Sequence, residues 1–294
     1  MQQSEQDILR RIRKIEIKTK GLSNEIFAGK YHTAFRGRGM SFSEVRDYRI
    51  GDDVRDIDWN VTARSSKPHI KVYEEERELT MMLLIDVSGS NMFGTSERFK
   101  RNMVTEIAAV LAFSATQNND KVGCIFFSDK VEKFIPPKKG RSHILTIIRE
   151  LVRFEPTSPK TAISEAVRYL TNVNKKHCTA FILSDFLNAD SDSAALEDAL
   201  KIASGKHDVV GIQIFDQREA ELPSVGMVEM KDAESGKLYW VDTSSRRVRE
   251  HYAQAWARQQ QAIEELLMRN RIDAIRISTD ADYVKELIKL FKKR

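Results

Sequence analysis

From residue 79 onward the chain alternates short apolar runs with stretches of helical periodicity. Met81-Met82-Leu83-Leu84-Ile85 is an unbroken apolar run, as a strand buried on both faces requires. The spacing then predicts a helix over 99–116, strands over 122–127 and near 131–135, and helices over 142–153 and 162–173. A strand over 179–183, a helix over 193–203 and a strand over 208–215 continue the alternation. A hairpin with strands over 226–230 and 238–241 is expected to turn at Ser235-Gly236. A helix over 250–268, a short strand over 274–277 and a helix over 282–292 close the pattern. Strands alternating with helices imply right-handed crossovers and a mostly parallel sheet.

The first 79 residues have a different texture. Over 4–20 the residues Ile8, Leu9, Ile12 and Ile15 share one helical face, and Ser4 with Asp7 makes a capping-box-like start. An irregular arm follows, broken by Gly21, Gly29, Gly37, Gly39 and Gly51, with strand-like alternation over 67–75. The expected organisation is therefore an N-terminal helix with an Arg/Asp-rich arm over 1–79. A doubly wound α/β domain follows over 80–294, interrupted by a β-hairpin insertion near 225–243.

Composition narrows the setting. Apolar residues make up 41% of the chain and charged residues 31%, ordinary values for a globular protein. The longest apolar runs, 81–85 and 209–215, are strand-length, well short of the ~20 residues of a membrane helix. With no apolar stretch of signal-peptide type near Met1, a cytoplasmic location is expected. Cys124 and Cys178 lie in strand-like runs and read as reduced core thiols. The net charge of +5 comes from 48 basic and 43 acidic residues, and no dense basic stripe with interleaved aromatics suggests nucleic acid.

The chemistry lies at strand ends. In an open α/β sheet, ligands bind beyond the carboxyl ends of the strands. The run 81–85 ends in Asp86-Val87-Ser88-Gly89-Ser90, the strand over 179–183 ends in Ser184-Asp185, and Pro159-Lys160-Thr161 precedes a helix. Hydroxyls and carboxylates from three loops suit a hard cation such as Mg²⁺, Mn²⁺ or Ca²⁺. Two aspartates must supply the negative charge, because hydroxyls are neutral ligands.

Asp86-Val-Ser88-Gly-Ser90 after an apolar strand resembles the Asp-x-Ser-x-Ser motif of von Willebrand factor A-type domains. The resemblance implies a Rossmann-like doubly wound fold and a metal site of Asp86, Ser88, Ser90, Thr161 and Asp185. The family's threonine usually follows glycine; here it follows Lys160, with Thr157 and Ser158 as neighbouring alternatives. Asn91, Met92 and Phe93 are expected beside the site, the last two as an apolar rim or as simple packing.

The arm segment from Phe42 to Trp59, continued by Ala63-Arg64, is similar to the signature of the bacterial domain of unknown function 58 family. That resemblance implies association with MoxR-type AAA+ ATPases. The function expected is a metal-dependent protein-binding module or adaptor, not an enzyme, whose partner is such an ATPase or a client offering an acidic residue to the metal. The alternative is a metal-dependent hydrolase using Asp52, Asp53, Asp56 and Asp58. These lie among Arg46, Arg49, Arg55 and Arg64, a balance that favours ion pairing over metal capture. Trp59 and Tyr48 are expected to pin the arm. No phosphate-binding glycine loop, HExxH motif or nucleophile elbow occurs.

Overall fold

In the computed structural model the described residues are 13–15, 40–65, 67–75, 79–92, 100–187, 193–231 and 236–294. Residues Arg13 to Ile15 are helical; the rest of the helix expected over 4–20 lies outside the described residues. The chain divides into two compact units, one spanning Arg36–Leu79 and the other containing Thr80–Arg294.

The smaller unit is built on an antiparallel pair, β1 (Met40–Asp47) and β2 (His69–Glu75). A register shift between Phe42 and Glu44 marks a bulge. Between the strands lie a 3-10 turn (Val54–Asp56) and the short helix α1 (Trp59–Ser65). Each aspartate of the arm for which the structure gives a partner has a structural one. Asp53 caps the 3-10 turn by accepting from the Arg55 amide at 2.9 Å. Asp58 accepts from the amides of Asn60 (3.0 Å) and Val61 (3.2 Å), starting α1, and lies 3.7 Å from Lys71. Asp52 takes a two-pronged pair from the Arg46 guanidinium at 2.8 Å and 2.8 Å. Trp59 corrects the expectation. It is 70% exposed, as the first residue of a seven-residue helix that buries none of its side chains. Among the described residues of this unit, the enclosed positions are Asp58 and Ile70 instead.

The larger unit holds a six-stranded sheet. Its strands are β3 (Thr80–Asp86), β4 (Lys121–Phe127), β5 (Val131–Lys138), β6 (Thr179–Ser184), β7 (Asp208–Phe215) and β10 (Asp273–Ser278). Their order is β10-β7-β6-β3-β4-β5, and only β5, on one edge, is antiparallel to its neighbour. This is the doubly wound, mostly parallel arrangement expected from the sequence. The connection after β3 runs to β4 on one side and that after the adjacent β6 runs to β7 on the other, so the carboxyl ends of β3 and β6 form the topological switch point.

The crossovers are α2 (Lys100–Gln117), α3 (Arg141–Arg153), α4 (Ile163–Val173), α5 (Ser193–Lys206) and α7 (Arg246–Arg269), with α8 (Tyr283–Lys293) following β10. A four-residue helix, α6 (Gln217–Ala220), follows β7, and the hairpin β8 (Met227–Lys231) and β9 (Leu238–Asp242) precedes α7. Because strand side chains alternate, Met82 and Leu84 join α4, α5 and Leu267 of α7 in one core. Met81, Leu83 and Ile85 face the other way, also fully enclosed. Both cysteines are unpaired and buried. Burial pushes the Cys178 thiol up to about 12. No helix among the described residues is long and apolar enough to cross a membrane.

Candidate functional site at the sheet switch point

β3 and β6 pair in parallel with Ile85 opposite Leu183, which puts Asp86 and Ser184 side by side at the same edge. The Ser184 hydroxyl donates to Asp86 Oδ2 at 2.6 Å, and the Ser88 amide donates to Asp86 Oδ1 at 2.9 Å. The second bond closes the turn that carries Ser88 and Ser90, whose hydroxyl oxygens lie 3.1 Å apart. The Gly89 amide donates to the Pro159 carbonyl at 2.9 Å, and the Ala162 amide to the Ser128 carbonyl at 2.8 Å. These two bonds fasten the loop bearing Thr161 to the ends of β3 and β4. Sequence positions 86–90, 161 and 185 thus meet at one end of the sheet, and all five candidate side chains are buried.

Their electrostatics are those of an enclosed acidic pocket. Burial, and then the neighbouring Asp185 carboxylate, push the Asp86 acid up to about 6, against hydrogen bonds from Ser184 and Ser88 that favour its charged form. Asp185 Oδ1 accepts from the Leu187 amide at 3.0 Å, and its carbonyl takes the Gln213 side-chain amide at 2.8 Å. The turn continues through Phe186, which holds a left-handed φ of 56°.

The alternatives for the third loop separate by geometry. The Thr157 hydroxyl donates to Glu132, at 2.7 Å from Oε1 and 2.9 Å from Oε2. Burial pushes Glu132 up, but the bonds from Ser128 and Thr157 outweigh it and hold the carboxylate below its ordinary range. Ser158 Oγ accepts from the Lys160 amide at 3.3 Å. Thr161 differs: its Oγ1 is enclosed and has no hydrogen-bond partner. An enclosed hydroxyl without a partner is costly, and an oxygen left open in this way suits a cation. The side chains of Asn91, Met92 and Phe93 lie outside those described.

Two further residues form a buried ion-pair chain with Asp185 and were not anticipated. Lys100, the first residue of α2, is fully buried. Its ammonium donates to Asp185 Oδ2 at 2.8 Å and to Glu219 Oε1 at 2.5 Å. Lys100 and Glu219 are 119 positions apart, and neither belongs to a recognisable motif. The one local signal is a lysine opening a helix whose following residues are predominantly apolar. Among the described residues no group of three or more His, Cys, Asp or Glu could hold a metal. A cation here would therefore depend on hydroxyl oxygens added to Asp86 and Asp185. The Asp-rich arm offers no such cluster.

An uncharacterized protein of Mycobacterium tuberculosis is 28% identical over 287 residues, covering 96% of this chain and 88% of that one. Among solved structures, an aerotolerance-related membrane protein of Bacteroides fragilis is similar with TM-score 0.49 and 17% identity, over 73% of this chain and 97% of that chain. The conserved hypothetical protein BatB of Bacteroides thetaiotaomicron is similar with TM-score 0.48 and 16% identity, over 73% and 98%. A family profile described as "Protein of unknown function DUF58" matches residues 44–262, which include most of the arm and most of the sheet, and the chain belongs to that family.

Proposed function

We propose that the chain is a non-enzymatic protein-binding module that recognises an acidic side chain of its partner through a divalent cation of the Mg²⁺ class. Asp86, Ser88, Ser90, Thr161 and Asp185 would hold the ion. When bound, the ion would supply an electrophilic position for an outside carboxylate. The observation that carries this reading is the enclosed Thr161 hydroxyl without a partner, on a loop fastened to the Asp86-Val-Ser88-Gly-Ser90 turn. Ser88 and Ser90 present adjacent hydroxyl oxygens from the same turn. Asp86 contributes charge and, through the Ser88 amide and Ser184 hydroxyl, fixes the turn's shape.

The partner we infer is a MoxR-type AAA+ ATPase, or a client of one, acting in the assembly or maturation of a protein complex in the cytoplasm. Among the described residues around the site, no free general base is added to the candidate ligands, which favours binding over hydrolysis. The test is co-purification with a MoxR-type AAA+ ATPase from the same organism, in Mg²⁺ and in EDTA, with wild type and Asp86→Ala. The proposal expects capture that EDTA and Asp86→Ala each abolish. Capture indifferent to both would place the interface elsewhere.

A further inference from the structure

Lys100 brings a permanent positive charge into a pocket otherwise suited to a cation. Two carboxylates contact it, Asp185 at 2.8 Å and Glu219 at 2.5 Å, and Asp185 in turn neighbours Asp86. Neither contacting carboxylate is loosely held. Glu219 Oε2 accepts from the Asp216 amide at 3.0 Å, closing the capping box of α6. Asp185 Oδ1 is taken by the Leu187 amide. The ammonium therefore sits between two fixed acids and is completely enclosed.

We infer that Lys100 is an affinity-determining residue of the cation site: an internal cation that neutralises part of Asp185 and so holds down the pocket's affinity for a divalent ion. The inference rests on the cation-binding reading above. With all groups ionised, Asp86, Asp185 and Glu219 carry three negative charges and Lys100 one positive charge. Glu219 acts in the opposite sense, by drawing on the ammonium that otherwise belongs to Asp185 alone. An ion entering such a pocket meets one carboxylate already engaged by a lysine. It stays poorly neutralised and so has more to gain from a partner's carboxylate.

The probe is Mn²⁺ alone, titrated calorimetrically into wild type, Lys100→Met and Glu219→Gln at one pH. Removing a unit charge several ångströms from the ion is worth a factor of roughly ten or more at the effective dielectric of such sites. Lys100→Met should therefore bind Mn²⁺ at least about tenfold more tightly than wild type, and Glu219→Gln more weakly. Opposite signs matter, because a purely structural role for the trio would weaken binding in both variants. Should Lys100→Met fail to fold, Lys100→Gln takes its place, and Mn²⁺ binding equal to or weaker than wild type in that variant overturns the inference. Wild-type binding left unchanged by either substitution also overturns it, while leaving the cation site standing. No Mn²⁺ binding in any of the three chains removes the cation site and this inference together.

Discussion

At the scale of single residues, burial and partner set behaviour more than residue type does. His207 is 4% exposed, at the end of α5, with its Nδ1 3.5 Å from Cys178 Sγ. Burial first, then the nearby positive charges of His177 and Lys206, push its pKa down to about 4. The unfolded chain takes up this proton near the ordinary histidine value of about 6.5, and the folded chain refuses it until about 4. Stability from neutral His207 is therefore full above about 6.5 and is lost as pH falls toward 4, by on the order of 2–3 kcal/mol. Urea unfolding at pH 7 and pH 4.5 should show wild type losing more stability than His207→Gln. Equal losses would show that His207 titrates normally.

Trp59 and Asp58 make a second contrast at this scale. Trp59 is mostly exposed, so Trp59→Ala should change stability by less than about 1 kcal/mol, read as melting temperature. Asp58→Ala removes the carboxylate that accepts from two backbone amides at the start of α1 and should cost about 1 kcal/mol or more. A larger loss from Trp59→Ala than from Asp58→Ala would contradict this assignment.

At the scale of elements, the sequence was clearest where one signal dominated. The central strands were visible as unbroken apolar runs because helices cover both faces. The edges were harder. β5 runs on to Lys138 through Pro136 and Pro137, beyond the expected end near 135. Proline lacks the amide a ladder needs, so it argues against a strand unless the strand is at an edge, as β5 is. α7 begins at Arg246, four residues before the expected start at 250. Arg246, Arg247 and Arg249 oppose the helix dipole there, and Arg249 instead donates to the carbonyls of Thr243 and Ser244 at 2.6 Å and 2.9 Å. Close approach is equally invisible in sequence. A Cβ on Gly123 of β4 would lie 2.7 Å from Met82 Sδ, 3.0 Å from the Pro137 nitrogen and 3.1 Å from the Ile135 oxygen. Met82 can give way, but the β5 backbone cannot without shifting the strand. Gly123→Ala should cost about 1–3 kcal/mol in denaturant unfolding; a variant as stable as wild type would mean that β5 is free to move.

At the scale of the whole molecule, the turn at Asp86 was legible because motif residues lie close together immediately after an apolar run. Thr161 and Asp185 were legible only through the order of elements, and Lys100 and Glu219 not at all, since packing alone brings them together. The sheet's winding converts these distant positions into one pocket. The most direct test of the central claim is calorimetric titration of Mn²⁺ into wild type, Asp86→Asn and Thr161→Val, with folding checked by melting temperature. The account predicts one ion per wild-type chain, loss of binding in Asp86→Asn, and clearly weaker binding in a fully folded Thr161→Val. No heat in wild type, or binding that both variants leave untouched, would contradict it.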